Sequence, residues 1–170
     1  MKRIVLGFSA IFLAVALISC CKIESEETIT NNLDWNKQIA VAYVHSYAHL
    51  LAQTLPMLET DSSKIDFVQK AIEDIRFYPD SSGYFYVYNL NCVNIAHARQ
   101  KDIVGSDLTN YQDSKGKFVI QELSKLAQNG GGYLDFYWIK PGSEDQKEKL
   151  GYVEPITGTD WFIGSGVYIE

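Results

Sequence analysis

The chain is short of cysteine, of cationic residues and of long apolar runs, and each shortage narrows what it can be. It has three cysteines, Cys20, Cys21 and Cys92. The first two stand together near the N-terminus, which leaves Cys92 alone in the body of the chain. A lone cysteine provides neither an intrachain disulfide framework nor a zinc set, so Cys92 reads as a small apolar residue near a turn. Lysine and arginine number 15 against 21 aspartates and glutamates, a formal charge of −6. Binding to a phosphate backbone needs a basic face, so nucleic acid is excluded as a partner. Beyond Ile18 no apolar run approaches the roughly 20 residues that span a bilayer. No cofactor motif is found, and none is expected.

What is present begins with a targeting segment. Lys2 and Arg3 form a basic start, and Ile4 to Ile18 is a nearly unbroken apolar run that ends in Leu17-Ile18-Ser19-Cys20. This resembles a bacterial lipoprotein signal, in which the cysteine after a small residue is acylated and becomes the new N-terminus. Cys21 is a rival acceptor, but it would put Cys20 at the small-residue position, so Cys20 is preferred. Loss of Lys2 and Arg3 takes the formal charge from −6 to about −8. The expected organisation is a signal peptide over 1–19, a polar, acidic tether over 20–32 and one domain over 33–170. About 150 residues are enough for a single core. Several acyl chains on Cys20 would hold the domain to a membrane surface, because two-chain anchoring is stable where one chain is marginal.

Along the domain the apolar period changes three times. Ile39, Ala42, Tyr43, Tyr47, Leu50, Leu51, Thr54 and Leu58 recur in steps of three and four, predicting an amphipathic helix over 33–58 with Asp34 as its cap. Ser63 is placed to cap a second helix through about Arg76. After the turn cluster Pro79-Asp80-Ser81-Ser82-Gly83 the period becomes that of strands. Tyr84–Leu90 and Val93–His97 form a hairpin across Asn91-Cys92. A helix is expected over 115–129, ended by Gly130-Gly131-Gly132. Strands over 133–139, 149–155 and 161–169 follow. Short links make the last three an antiparallel meander, and the first hairpin must pair with it to close a five-stranded sheet.

The stretch from Arg76 to His97 carries the chemistry. Tyr84, Tyr86 and Tyr88 share one face of a strand, because strand side chains alternate. Arg76 precedes that strand and His97 ends its partner. Rings, hydroxyls and cationic donors suit a small anion, and no nucleophile or paired base stands beside them.

Several motifs then occur in a fixed order: Gly83-Tyr84-Phe85-Tyr86-Val87-Tyr88, Ile95-Ala96-His97, Val104-Gly105-Ser106-Asp107-Leu108, Gly131-Gly132-Tyr133, Phe136-Tyr137-Trp138, Lys140-Pro141-Gly142-Ser143, Lys149-Leu150-Gly151-Tyr152-Val153 and Trp161 to Tyr168. Together they resemble a single Cache domain, the PAS-like extracytoplasmic sensor module of bacterial chemoreceptors and histidine kinases. The resemblance covers about 95 residues, from Arg76 to Glu170. It implies an α+β PAS-like fold: a five-stranded antiparallel sheet, a long N-terminal helix, a second helix and one helix inserted between strands 2 and 3. The helical lead-in is 33–76 and the sheet portion 83–170. Two positions depart from the family: Cys92 stands where a turn glycine is usual, and Ala98 where a proline usually follows the histidine. Family members commonly sit between two membrane helices. This sequence stops after its last strand, so a signal is expected to leave through a separate transmembrane receptor or kinase.

By resemblance, the ligand is a small organic acid of the acetate, propionate, lactate or pyruvate kind, held between the sheet and its covering loops. Arg76 is the expected carboxylate clamp, since guanidinium offers paired donors. Tyr84 and Tyr86 are expected to contribute hydroxyls, with His97, Tyr137 and Lys149 completing the ligand set. Enzyme readings fare badly. Ser165 lies in Gly164-Ser165-Gly166 inside a strand, without the spacing of a nucleophile elbow. His45 and His49 stand four apart but lack the glutamate of the zinc protease motif. Asp102, Asp107 and Asp113 are too scattered for a calcium loop. No catalytic residue or metal site is assigned. The expected protein is a lipid-anchored sensory module on the periplasmic side or cell surface of a bacterial membrane. The alternative is a structural or interaction lipoprotein that keeps the fold without a working site.

Overall fold

Between Cys20 and Leu55 the chain has neither proline nor glycine, so nothing breaks a helix there. The computed structural model describes residues 9–169, with side chains from residue 32 onward. Residues 1–8 and the side chain of Cys20 lie outside the described residues. Helix α1 runs Ser9–Thr54, and the stretch read as a tether is helical backbone. Asp34 is therefore inside the helix rather than its cap. The chain divides into a unit of residues 1–35 and a larger one of residues 36–170. Among the described residues no helix is long and apolar enough to cross a membrane.

In the larger unit α1 buries Ala40, Val44, Ala48 and Leu51, one stripe at helical spacing. It then tightens into a 3-10 turn over Leu55–Met57, where Pro56 stands at the start. Helix α2 spans Asp61–Ile72. Its cap is Thr60, not Ser63: the Thr60 hydroxyl accepts the Ser63 amide at 3.1 Å and the Ser63 hydroxyl accepts the Thr60 amide at 3.2 Å. Ser63 is thus the third residue of a reciprocal capping box. Helix α2 stops short of Arg76 because Phe77 turns to bridge Gly83, and a β-carbon on Gly83 would strike the Phe77 ring at 2.3 Å. Helix α3 spans Val119–Gln128 and starts later than expected. The Asp113 carboxylate accepts the amides of Lys115 and Lys117 and holds those residues in a turn.

The strands are β1 (Tyr86–Asn89), β2 (Asn94–His97), β3 (Gly132–Ile139), β4 (Gln146–Pro155) and β5 (Trp161–Tyr168). They form one five-stranded sheet in the order β2-β1-β5-β4-β3, antiparallel throughout. The expected meander β3-β4-β5 is present, and β1 closes the sheet by pairing Tyr86 with Gly164. On one face Phe85 meets Tyr47 of α1 at 4.5 Å between ring centroids. On the other, Tyr84, Tyr86 and Tyr88 face the apolar side of α3. Gly164 and Gly151 make room there: a β-carbon on Gly164 would meet the Tyr86 ring at 2.4 Å, and one on Gly151 the Phe136 ring at 2.5 Å.

Candidate ligand-binding site

The alternation of β1 and β4 and the stripe of α3 converge on one cavity. It is lined by Tyr84, Tyr86, Tyr88, His97 and Lys149, and closed on its apolar side by Val119, Ile120, Leu123, Phe136 and Trp138. Its volume is about 10 Å³, the room one water molecule needs.

Lys149 lies in β4 between Phe136 of β3 and Tyr168 of β5 and is 1% exposed. Its ammonium is 4.0 Å from the centroid of the Tyr84 ring, 4.9 Å from that of Tyr168 and 5.5 Å from that of Tyr86. These π faces attract a cation, but a carboxylate partner for Lys149 is absent among the described residues. Burial alone brings its pKa down to about 7.

His97 is equally buried. Its Nδ1 accepts the amides of Gln100 at 2.8 Å and Arg99 at 3.2 Å. A nitrogen that accepts two N–H groups carries no proton, so the neutral ring is protonated at Nε2. Burial first, then Lys149 and Arg76, lower its pKa to about 3. The ring is therefore a neutral Nε2–H donor over the ordinary pH range.

The phenol protons are largely committed. Tyr168 donates to the Ile139 carbonyl at 2.8 Å, so in the 3.2 Å contact between Tyr84 and Tyr168 Tyr84 is the donor. Tyr86 donates to the Ser165 carbonyl at 3.3 Å. The Tyr88 hydroxyl faces the Asn94 amide across β1 and β2. Burial raises all three phenols far above their usual range, so they remain neutral.

Of the residues the sequence singled out, the structure brings Tyr84, Tyr86, His97 and Lys149 together and leaves Arg76 and Tyr137 outside the lining. The Arg76 guanidinium donates to the carbonyls of Ile75 at 2.6 Å and Ala98 at 2.8 Å, holding the turn that follows His97. Tyr137 points the other way, its ring 5.3 Å from the Lys115 ammonium. The Ala98 amide donates to the Phe85 carbonyl at 3.1 Å, a bond that a proline there could not make. Cys92 takes a left-handed φ of 65°, which explains why glycine suits that turn.

Sequence reasoning put Tyr88 on the face of Tyr84 and Tyr86 but left it out of the ligand set, and it missed the apolar wall. An apolar stripe on a helix, and Phe136 and Trp138 two apart on a strand, look the same whether they face a cavity or a solid core. The other motifs are structural. The Ser165 hydroxyl donates to the Tyr84 carbonyl at 2.7 Å. His45 meets Glu154 at 3.1 Å, and His49 meets Gln53 at 2.8 Å. Among the described residues no three His, Cys, Asp or Glu side chains are grouped to hold a metal.

The arrangement sets a buried cation and a neutral N–H donor on one cavity, and comparison with known proteins identifies the family. The family profile described as Cache domain matches residues 10–170, so the chain belongs to the Cache domain family. It is 36% identical over 88 residues, 52% of the chain, to the sensor histidine kinase MctS of Rhizobium johnstonii. It is 31% identical over 104 residues, 60% of the chain, to the methyl-accepting chemotaxis protein McpP of Pseudomonas putida. Each match spans 19% of the relative's own length. A methyl-accepting chemotaxis protein from Vibrio parahaemolyticus has a crystal structure that superposes with a TM-score of 0.71 at 29% identity, covering 86% of this chain and 97% of that one. The Cache family supplies sensor domains to chemotaxis receptors and histidine kinases such as these relatives.

Proposed function

We propose that this domain senses a short monocarboxylate. The observation that carries the reading is Lys149, a fully buried ammonium beside a cavity with no acid among the described residues to neutralise it. A buried charge is costly unless paired, and a carboxylate that enters the cavity supplies the missing partner. The neutral Nε2–H of His97 is a second donor to the same anion, and the Tyr84 and Tyr86 rings set its plane. Arg76 is a positioning residue that holds the His97 turn. One cation in the lining suits one carboxylate, and Val119, Ile120, Leu123 and Phe136 suit a short alkyl chain. In a cavity of about 10 Å³ even a two- or three-carbon acid must push the lining outward, so binding moves the walls. The same volume is what favours the second reading, a lipoprotein that keeps the fold without a working site.

A thermal-shift screen of acetate, propionate, lactate, pyruvate and succinate separates the two. A ligand that binds only the folded state raises the melting temperature, and the monocarboxylates are expected to do so with succinate inert. A flat response to all five would leave the second reading standing. We further propose a signal peptide over 1–19, acylation at Cys20, a tether over 20–32, and a separate transmembrane receptor or kinase that receives the signal outside the cytoplasm.

A further inference from the structure

The turn that follows β2 is held from two sides. On the inside it belongs to the cavity. The His97 ring lines it, and the Gln100 side-chain carbonyl accepts the indole N–H of Trp138, another lining residue, at 2.8 Å. On the outside it is held by α2 and the residues just beyond that helix. The Gln69 side chain takes both backbone groups of His97: its oxygen accepts the His97 amide at 3.1 Å, and its nitrogen donates to the His97 carbonyl at 3.4 Å. β2 is an outer strand of the sheet. The Ala98 amide goes to the Phe85 carbonyl, so His97, opposite Tyr86, turns its own amide and carbonyl away from β1. A primary amide offers the donor and acceptor of a peptide group, and Gln69 stands where a further strand would. Four residues on, on the same face of the helix, the Glu73 carboxylate accepts the Lys101 ammonium at 2.6 Å. Arg76 then donates to the Ala98 carbonyl at 2.8 Å. Three side chains from one segment thus fasten residues 97, 98 and 101.

The floor of the cavity is fixed, because β1 and β4 each lie between two strands. Its movable walls are α3 and this turn, and the turn carries the His97 donor. We propose that α2 reads whether the cavity is occupied, through the 97–101 turn, with Gln69, Glu73 and Arg76 as the ties. This rests on the carboxylate reading of the site. An acid on Lys149 that also takes the Nε2–H of His97 fastens the turn to β4 from inside. The turn then opens less often, and α2, bonded to it from outside, opens less often with it.

The test pairs calorimetry with amide hydrogen exchange on the full chain, using acetate, propionate, lactate and pyruvate. Calorimetry finds which acid binds, and exchange is then followed with and without that acid at saturation. Short labelling times report local opening rather than global unfolding. Amides of 97–101 and of 61–76 should slow about fivefold or more, the ordinary size of a coupling between sites, while those of β5 stay unchanged. Gln69→Met should still bind the acid and slow 97–101, but lose the response of 61–76. Lys101→Met cuts only the Glu73 tie, at the surface, and should shrink that response even if Gln69→Met does not fold. Heat accompanied by slowing confined to 119–128 makes α3 the moving wall; it overturns the role of α2 and leaves the carboxylate site intact. So does a response of 61–76 that keeps its native size in every variant that folds. No heat with any of the four acids overturns both readings.

Discussion

Among single residues, Lys149 carries most of the chemistry of the proposed site, and its proton sets a pH dependence. In the folded, free domain it titrates near 7, against about 10.4 in an unfolded chain. Between those values the unfolded chain holds the proton and the folded one does not, so this group's contribution to stability rises with pH from about 7 to 10. Below 7 its full desolvation cost is present. A bound carboxylate offsets that cost by favouring the charged amine. Affinity for the acid should therefore be level below pH 7 and fall about tenfold per unit above it, measured by titration from pH 6 to 9. His97, near 3, is neutral throughout and adds no slope. An affinity unchanged from pH 6 to 9 would mean that Lys149 does not hold the acid. The sequence put Lys149 among the ligands as a second cation behind Arg76; the structure puts Lys149 in the cavity lining and Arg76 outside it. Which cation reaches the cavity depends on side-chain direction at a strand register and at a helix end, and Arg76 is drawn to the Ile75 and Ala98 carbonyls, which no local pattern shows.

Secondary elements were easier to read. Period 3.6 and period 2 stand clearly in the chain, and the order of helices and strands with the β1–β5 closure follows from them. The ends were harder, because caps are tertiary and local hydrogen-bond choices. Thr60 and Ser63 form a reciprocal box that either residue alone could have started, and Asp113 gathers three amides. One of these belongs to Tyr137 on the outer edge of β3, at 3.0 Å. Together with the bond from the Lys117 ammonium to the Asp135 carbonyl, this covers part of an edge that would otherwise invite another strand. Glycines carry the site at this scale. Gly164→Ala places a methyl 2.4 Å from the Tyr86 ring, and such overpacking costs about 1–3 kcal/mol. The substitution should lower the urea midpoint and weaken acid binding together, as the ring is driven into the cavity. Unchanged stability would show that the sheet absorbs the methyl without moving Tyr86.

At the scale of the whole molecule, a Cache sensor domain follows a segment that reads as a lipoprotein signal. Metabolic labelling with an alkyne fatty acid should mark the native chain, and Cys20→Ala should lose the label and move from the membrane to the soluble fraction. Labelling that persists in Cys20→Ala would move the anchor elsewhere. The proposed site asks for one thing of its ligand, an anion for a buried cation, and Lys149→Met removes that cation while keeping an apolar chain of similar length. Calorimetric titration of lactate into the native chain and into Lys149→Met at pH 6.5 tests this most directly. The expected result is saturable heat with the native chain and none with Lys149→Met, which should also melt at or above the native temperature because an unpaired buried charge is gone. Equal affinity in the two proteins would contradict it.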